Sequence, residues 1–452
     1  MDDREPVGVL GAGWVGLVTA ACFADLGHDV VVRDVLPERV AMLDSGQVPI
    51  HEPGLGEMLS RNRDRLRFTL DIDDVVESAG LAFVCVGTPP TYSGDADLSA
   101  VWQVVDELSD LDERLVLVMK SAVPVRTGER VRARLDERGL AHVGYVSNPE
   151  FLAEGTALAN FTQPDRVVVG AFVDADGDRV AALYEPLGAP IVHTDVASAE
   201  MIKLASNAAL MTRISFINEI ANVCELVGAD VEEVARGVGL DARLGPHFLK
   251  AGIGYGGSCF PKDASALKQL AANSGYHFQL LTAVIEVNEL QKRRVVQKLE
   301  AHLGGLRGKT VALLGLAFKP QTNDMREAPS LVLAPRLLTE GAVVRAWDPV
   351  ALEEARTVLG GVDFVESLFE AVEGADAAVI VTEWPQLRDL ASAEVREAMR
   401  TPLIVDGRNL LDPADVRAAG FVYEGIGRSS IVVAELSGAD EPVPELAPRP
   451  ES

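Results

Sequence analysis

Basic residues are outnumbered in this 452-residue chain: 41 Lys and Arg stand against 68 Asp and Glu, a formal net charge of −27. A surface so negative repels polyanions, so neither nucleic acid nor anionic lipid is an expected partner. It also sets a condition. Any site for an anionic small molecule must bring its own cluster of Lys and Arg. Long hydrophobic runs are missing too, and without about 20 consecutive apolar residues no membrane-spanning helix is expected. The opening residues 1–6 are acidic, with no basic n-region and no apolar stretch, so a secretory leader is not expected. Cysteine is rare. Cys22, Cys85, Cys224 and Cys259 form no C-x-x-C pair and are too few for a disulfide framework, which points to a reducing cytoplasm. The seven histidines lack metal-ligand spacing, and no metal is expected. What remains is 48% hydrophobic and 24% charged, a mix that can bury a core. At roughly 150 residues per domain, the length suggests about three domains.

The patterning divides the chain. Up to about residue 195, short β-branched runs (7–10, 30–33, 81–86, 115–119, 166–169) alternate with helical stretches (14–26, 99–108, 127–138). Such alternation predicts a parallel sheet with helices on both faces. Residues 198–228 lack Pro and carry Gly only at Gly228, and Ile202, Leu210, Ile214, Ile217 and Ile220 recur at helical spacing. They predict a long helix, either a homodimer face or an internal connector. Shorter helices are expected around 230–238, 262–273 and 278–303. From Thr310 the α/β rhythm resumes, with strand-like runs at 311–314, 343–347, 378–381 and 403–405. The expected fold is α/β: two Rossmann-like doubly wound domains joined by a long central helix and a small helical region. The divisions are 1–196, 197–300 and 301–436, followed by a disordered Gly/Glu/Pro-rich tail at 437–452. The two halves echo each other, each beginning strand, Gly turn, helix, then strand ending in Asp (Asp34 and Asp348).

Gly11-Ala12-Gly13-Trp14-Val15-Gly16 follows the first strand and opens a helix. Gly11 permits the tight turn, Gly13 lets backbone approach a pyrophosphate, and Gly16 lets helix and strand pack closely. The helix N-terminus would then face the phosphates. Asp34 ends the next strand, where a carboxylate accepts ribose hydroxyls and repels a 2′-phosphate. NAD is therefore preferred to NADP, although Arg33 beside it pulls the other way; the bland alternative is a glycine turn with no cofactor. Residues 304–310 imitate a P-loop. They have three residues between Gly304 and Gly308 where four are needed and precede a strand, so no ATP site is assigned.

The most informative stretch is Gly254-Tyr255-Gly256-Gly257-Ser258-Cys259-Phe260-Pro261-Lys262-Asp263. A glycine run brings one cysteine to the start of a helix, with Pro261 in its first turn. A helix N-terminus and nearby lysines would lower the thiol pKa and favour the thiolate. Cys259 and Asp263 share a helical face, as do Lys203 and Asn207. Glu150 and Glu154 have the same spacing in a segment expected to start a helix after Pro149. Cys22, Cys85 and Cys224 sit in apolar patterns and read as core residues.

These motifs resemble the nucleotide-sugar 6-dehydrogenase family from about residue 7 to 427. The stretches that carry the resemblance are 11–16, 48–54, 86–89, 148–155, 203–207, 256–263, 318–319 and 406–408. The resemblance implies a four-electron oxidation with two NAD, in which a primary alcohol becomes a carboxylate through a thiohemiacetal and a thioester on Cys259. Lys203 and Asn207 would stabilise the oxyanion, Asp263 and Glu150 would assist proton transfer and water activation, and Glu154 would lie near the nicotinamide. Gly11, Gly13, Gly16, Asp34, Thr88, Glu154, Lys262 and Arg326 would hold the cofactor. Phe151, Lys203, Asn207, Gly256, Phe318, Lys319 and Arg408 would hold the UDP-sugar, joined by Arg243 from a neighbouring subunit. Phe260 leans toward UDP-glucose, with GDP-mannose or a UDP-N-acetylhexosamine as alternatives. A catalytically silent NAD-binding scaffold is the alternative from another class; Cys259, Lys203 and Asp263 together argue against it. One departure stands out. The family commonly has threonine where this chain has Ala122, a hydroxyl that helps hold the hydrolytic water. Ser121 should face the other way in an extended segment, so slower thioester hydrolysis is expected.

Overall fold

The computed structural model describes residues 4–92, 94–109 and 115–428, so the tail expected at 437–452 lies outside the described residues. Its strands are short and almost wholly apolar: β1 Val7–Leu10, β2 Val30–Arg33, β3 Leu66–Thr69, β4 Leu81–Val84, β5 Val116–Met119, β6 Gly144–Ser147, β7 Val167–Ala171 and β8 Ile191–Thr194 in the first sheet. The second holds β9 Thr310–Leu314, β10 Val343–Trp347, β11 Asp363–Phe364, β12 Ala377–Ile380, β13 Leu403–Asp406 and β14 Val422–Glu424. Every residue of β1, β2, β4, β5 and β6 is buried. Strands covered on both faces cannot alternate apolar with polar, which is why they read as continuous Val-rich runs. Two apolar clusters flank each sheet, one per face.

The strand order is β3-β2-β1-β4-β5-β6-β7-β8 in the first sheet and β11-β10-β9-β12-β13-β14 in the second. The first six strands of one and all six of the other follow the same doubly wound order, with the chain reversing direction between β1 and β4 and again between β9 and β12. Ligands of such sheets bind outside the strand C-termini at that reversal. The first sheet departs from expectation in one respect. β6 pairs antiparallel with β7, because only the short helix Ala157–Thr162 separates them and no crossover returns the chain to the other end.

The central helix runs Val196–Val227, 32 residues or about 48 Å at 1.5 Å per residue. Asp195 caps it by accepting the Ser198 N–H, and Gly228 ends it in the left-handed conformation, φ 75°. The single helical stretch expected over 278–303 is two helices, Gln279–Gln291 and Arg294–Leu303. Between them the ladder slips: Arg293 N–H bonds Leu290 O, three residues back. The side chains at the joint are tied elsewhere, Gln291 to the Gly252 carbonyl and buried Lys292 to Glu289. Among the described residues no helix is long and apolar enough to cross a membrane.

Candidate active site

The glycine turn after β1 is held from below. Gly11 sits at φ 106°, and a Cβ there would lie 2.7 Å from the Cys85 carbonyl oxygen. A Cβ on Gly16 would run into the Gly11 carbonyl, so helix and strand can meet this closely only without a side chain. At Gly13 a Cβ would meet nothing within 4 Å, leaving the backbone open on the ligand side. Asp34 fixes the turn: its Oδ2 accepts Ala12 N–H at 2.8 Å and its Oδ1 accepts Leu36 N–H at 3.0 Å. Oδ1 keeps a further lone pair, as ribose recognition needs. Arg33, the cation that argued for NADP, is directed away to Glu107 at 2.7 Å. The cation on Asp34 is instead Arg39, at 3.1 Å, which sequence reasoning missed.

The reactive groups gather where the central helix passes under this sheet. Lys203 Nζ donates to Glu150 Oε1 at 2.7 Å, and both side chains are about 95% buried, with exposures of 5% and 6%. One turn on, Asn207 Nδ2 donates to Asp263 Oδ2 at 2.6 Å. Lys262 Nζ lies 2.7 Å from the other Asp263 oxygen and 3.5 Å from Thr88 Oγ1. Cys259 is the N-cap of the helix Phe260–Asn273, and its backbone carbonyl accepts Asp263 N–H at 2.9 Å. Cys22, Cys85 and Cys224 are buried, whereas Cys259 is partly exposed in a cleft of about 800 Å³ shared with Glu150, Asp263, Lys262, Thr88 and Arg326.

The electrostatics overturn one expectation. The Cys259 thiol pKa is raised, not lowered: burial outweighs everything, the Glu150 and Asp263 carboxylates add to it, and Lys203 offsets only part. The helix N-terminus does not make a resting thiolate here. Lys203 behaves oppositely. Burial would depress it, but Glu150, Asp263 and Cys259 together raise it, so it is a fixed cation at neutral pH.

Residues 148–155 do not form the helix expected after Pro149; they form a loop, with the helix starting at Ala157. Glu150 Oε2 accepts Leu152 N–H two residues on, a local turn that competes with helix, and Gly155 takes φ 80°. Glu150 and Glu154 therefore share no helical face and face different partners. The loop is anchored by Glu52, also missed in the sequence. Its carboxylate accepts Gly155 N–H at 2.7 Å, Ala157 N–H at 2.9 Å and the Trp14 indole at 3.0 Å, coupling the carboxylate loop to the glycine turn. Glu154 reaches the second domain, accepting Thr322 Oγ1–H at 3.0 Å with Arg326 at 3.5 Å.

Burial and then neighbouring Asp324 push the Glu154 carboxyl up to about 7. A folded-state pKa above the unfolded one means the native protein binds the extra proton between about pH 4.5 and 7, so this group's contribution to stability is lost as pH rises through that window. The thermal midpoint of wild type should therefore fall, relative to Glu154→Gln, between pH 5 and 7. Parallel pH profiles for the two proteins would refute the assignment.

The second domain supplies a matching wall. Asp348, at the end of β10, accepts Leu316 and Ala317 N–H at 2.6 and 3.1 Å, repeating the Asp34 arrangement and presenting Phe318-Lys319. Gly257 packs its α-carbon against the Phe318 ring, Gly256 packs against the Glu327 carbonyl, and Gly257 N–H bonds Arg326 O at 2.9 Å. Arg408 is largely used as a tie, donating to Gly254 O and Val381 O at 2.8 Å and to Phe318 O at 3.3 Å. Phe151 lies under the Arg166 guanidinium, 3.5 Å from ring centre. Arg243 is not brought to this cluster; its side chain is 88% exposed and pairs with Asp241.

Three further groups were not singled out by the sequence: Lys120, Asn148 as a side chain, and Tyr184. Lys120 Nζ donates to Asn148 Oδ1 and Tyr184 Oη, both at 3.1 Å, and burial lowers its pKa to about 8. Ser121 is spent on the Val86 and Val84 carbonyls at 2.7 and 3.1 Å, so it does not replace the hydroxyl missing at Ala122; the cause is this bonding at a bend after β5, not the alternation of an extended strand. Thr88 Oγ1 instead reaches the Ala122 carbonyl at 2.9 Å.

Family models match three consecutive stretches. Residues 5–188 match the UDP-glucose/GDP-mannose dehydrogenase family, NAD binding domain. Residues 197–290 match its central domain and 312–413 its UDP binding domain. A UDP-glucose 6-dehydrogenase of Pseudomonas aeruginosa is 47% identical over 440 residues, covering 93% of this chain and 97% of that one. One from Bacillus subtilis is 44% identical over 433 residues, 94% of each. Among solved structures, a UDP-glucose dehydrogenase from Pyrobaculum islandicum superposes with a TM-score of 0.87 at 39% identity, covering 94% of this chain and 98% of that one.

Proposed function

The chain belongs to the UDP-glucose/GDP-mannose dehydrogenase family, and from that premise we propose that it oxidises UDP-glucose to UDP-glucuronate with two NAD, through a covalent intermediate on Cys259. The observation that carries the reading is the position of Cys259: a cysteine at the N-cap position of a helix, at the cleft between the two Rossmann-like domains, flanked by the Lys203–Glu150 and Asn207–Asp263 pairs. The glycine turn fits a dinucleotide, since Gly13 is open and the Asp34 carboxylate stands at the end of β2. Bound there, NAD supplies the hydride acceptor, one molecule for each two-electron step.

The chain's own groups do the rest. The C6 hydroxyl gives up its proton as its hydride leaves, and the aldehyde is captured by the Cys259 sulfur before it can escape. Because the thiol rests protonated, its proton must leave as the C–S bond forms; Asp263, one helical turn on, is the proposed acceptor. The oxyanion forms against the Lys203 ammonium and the Asn207 amide. A second hydride loss gives the thioester. Water then adds, the C–S bond breaks, and the sulfur recovers a proton. Glu154, Thr88, Lys262 and Arg326 line the cofactor side, while Phe151, Gly256, Phe318, Lys319 and Arg408 line the sugar-nucleotide side. Lys203, Lys262, Lys319, Arg326 and Arg408 supply the local positive charge that an anionic substrate needs in so acidic a chain. A homodimer across the central helix accords with its exposed Phe216, Val223 and Leu226, and Arg243 would then act on the neighbour's site. Four free cysteines accord with a cytoplasmic location.

A substrate panel with NADH counting tests this reading. UDP-glucose should yield two NADH per sugar. One NADH points to a simple alcohol dehydrogenase, none to a silent scaffold, and turnover of GDP-mannose or a UDP-N-acetylhexosamine in preference to UDP-glucose overturns the substrate assignment.

A further inference from the structure

Against Glu150 and Phe151 lies a second and smaller cavity, which Cys259 does not line. Its inner wall is Lys120, Asn148 and Tyr184, and its mouth is formed by exposed Gln163 and Asp165. Two residues, Lys120 and Glu150, line both this cavity and the main cleft. We propose that the second cavity is a water site, and that it delivers the hydrolytic water to the Cys259 thioester between Lys120 and Glu150.

Size and polarity both suit water. The cavity offers about 70 Å³ to the centre of a water molecule, against the roughly 10–15 Å³ that one water needs. Lys120 has three N–H donors and is 4% exposed. Two are accepted by Asn148 Oδ1 and Tyr184 Oη, and among the described residues Nζ makes no third hydrogen bond. A buried donor without a partner is destabilising, and a water held there offsets that loss. Glu150 faces the same space as an acceptor, its carboxylate oriented by Lys203 and Leu152 N–H. On the wall of the main cleft Ala122 has no hydroxyl, and the Ser121 hydroxyl is bonded to the Val84 and Val86 carbonyls.

The step balances. The water oxygen bonds to the thioester carbon and its proton passes to Glu150. The C–S bond then breaks, the sulfur takes back the proton that Asp263 accepted and becomes the Cys259 thiol again, and the acyl group leaves as the carboxylate, its remaining proton and the one on Glu150 passing to solvent. This inference rests on the covalent reading above, and the test separates the two. Wild type should give two NADH per sugar, and hydroxylamine should trap the acyl group as a hydroxamate. If neither is seen, the covalent reading fails and this inference goes with it.

With wild type behaving so, Lys120→Met removes the buried donors, and Gln163→Trp places an indole at the mouth without touching Lys120, Glu150 or Cys259. Both should keep the first-turnover burst of NADH within about twofold, then slow at least about tenfold in the steady state. Acid-quenched samples should show most of the enzyme carrying a UDP-glucuronyl mass increment. If Lys120→Met fails to fold, Gln163→Trp alone decides. Steady-state turnover within twofold of wild type with no adduct, or a burst slowed as much as the steady state, overturns the proposal.

Discussion

Replacing Cys259 by Ser should lower carboxylate formation by at least about a thousandfold, because a residue that acts as the nucleophile takes nearly the whole chemical advantage with it. The reason is local. The thiol is already held protonated by burial and by Glu150 and Asp263, so the site works only because a thiol gives up its proton far more readily than an alcohol does. A serine hydroxyl in the same surroundings has no accessible alkoxide. The variant should fold like wild type, since among the described residues Sγ makes a single hydrogen bond, 3.6 Å from Ser258 Oγ. Mass spectrometry should show no acyl adduct, and NADH release should stop at one per sugar or below. Carboxylate output within tenfold of wild type would falsify the covalent mechanism.

The second large effect is expected at Lys203. Lys203→Met leaves the Glu150 carboxylate, 6% exposed, without its cation, and breaking one side of a buried pair costs about 3–5 kcal/mol. Turnover should fall by a further factor of about 10²–10³, the usual loss when an oxyanion donor is removed. The two losses come apart in the double variant. Glu150→Gln combined with Lys203→Met removes both charges, so the unfolding midpoint in denaturant should recover much of the lost stability. Activity should not recover. Were turnover to return along with stability, Lys203 would be a packing residue and not the oxyanion group.

The sheet core was legible because buried parallel strands are written as unbroken apolar runs. β1, β2 and β10 match their expected bounds residue for residue. β6, Gly144–Ser147, and β8, Ile191–Thr194, were not legible. The first begins with Gly and ends with Ser, and the second is a partly exposed edge strand carrying His and Thr, so neither has the composition of a core strand. The loop at 148–155 was misread because i, i+4 spacing describes a helix only where the backbone is helical. There the Glu150 side chain accepted the Leu152 N–H and Glu52 capped the chain from about a hundred residues away.

The chain's order of residues alone determined the two Rossmann-like units, the long helix between them, the glycine turn with its Asp34, and the one cysteine set apart from the other three. Each is a local pattern, set by strand and helix periodicity or by what a glycine permits. Only the folded chain decided which charges meet: that Lys203 pairs with Glu150, that Arg39 rather than Arg33 sits on Asp34, that Cys259 rests as a thiol, and that Lys120 joins the site at all. Ionisation depends on burial and on partners drawn from distant segments, and neither is encoded at any single position along the chain.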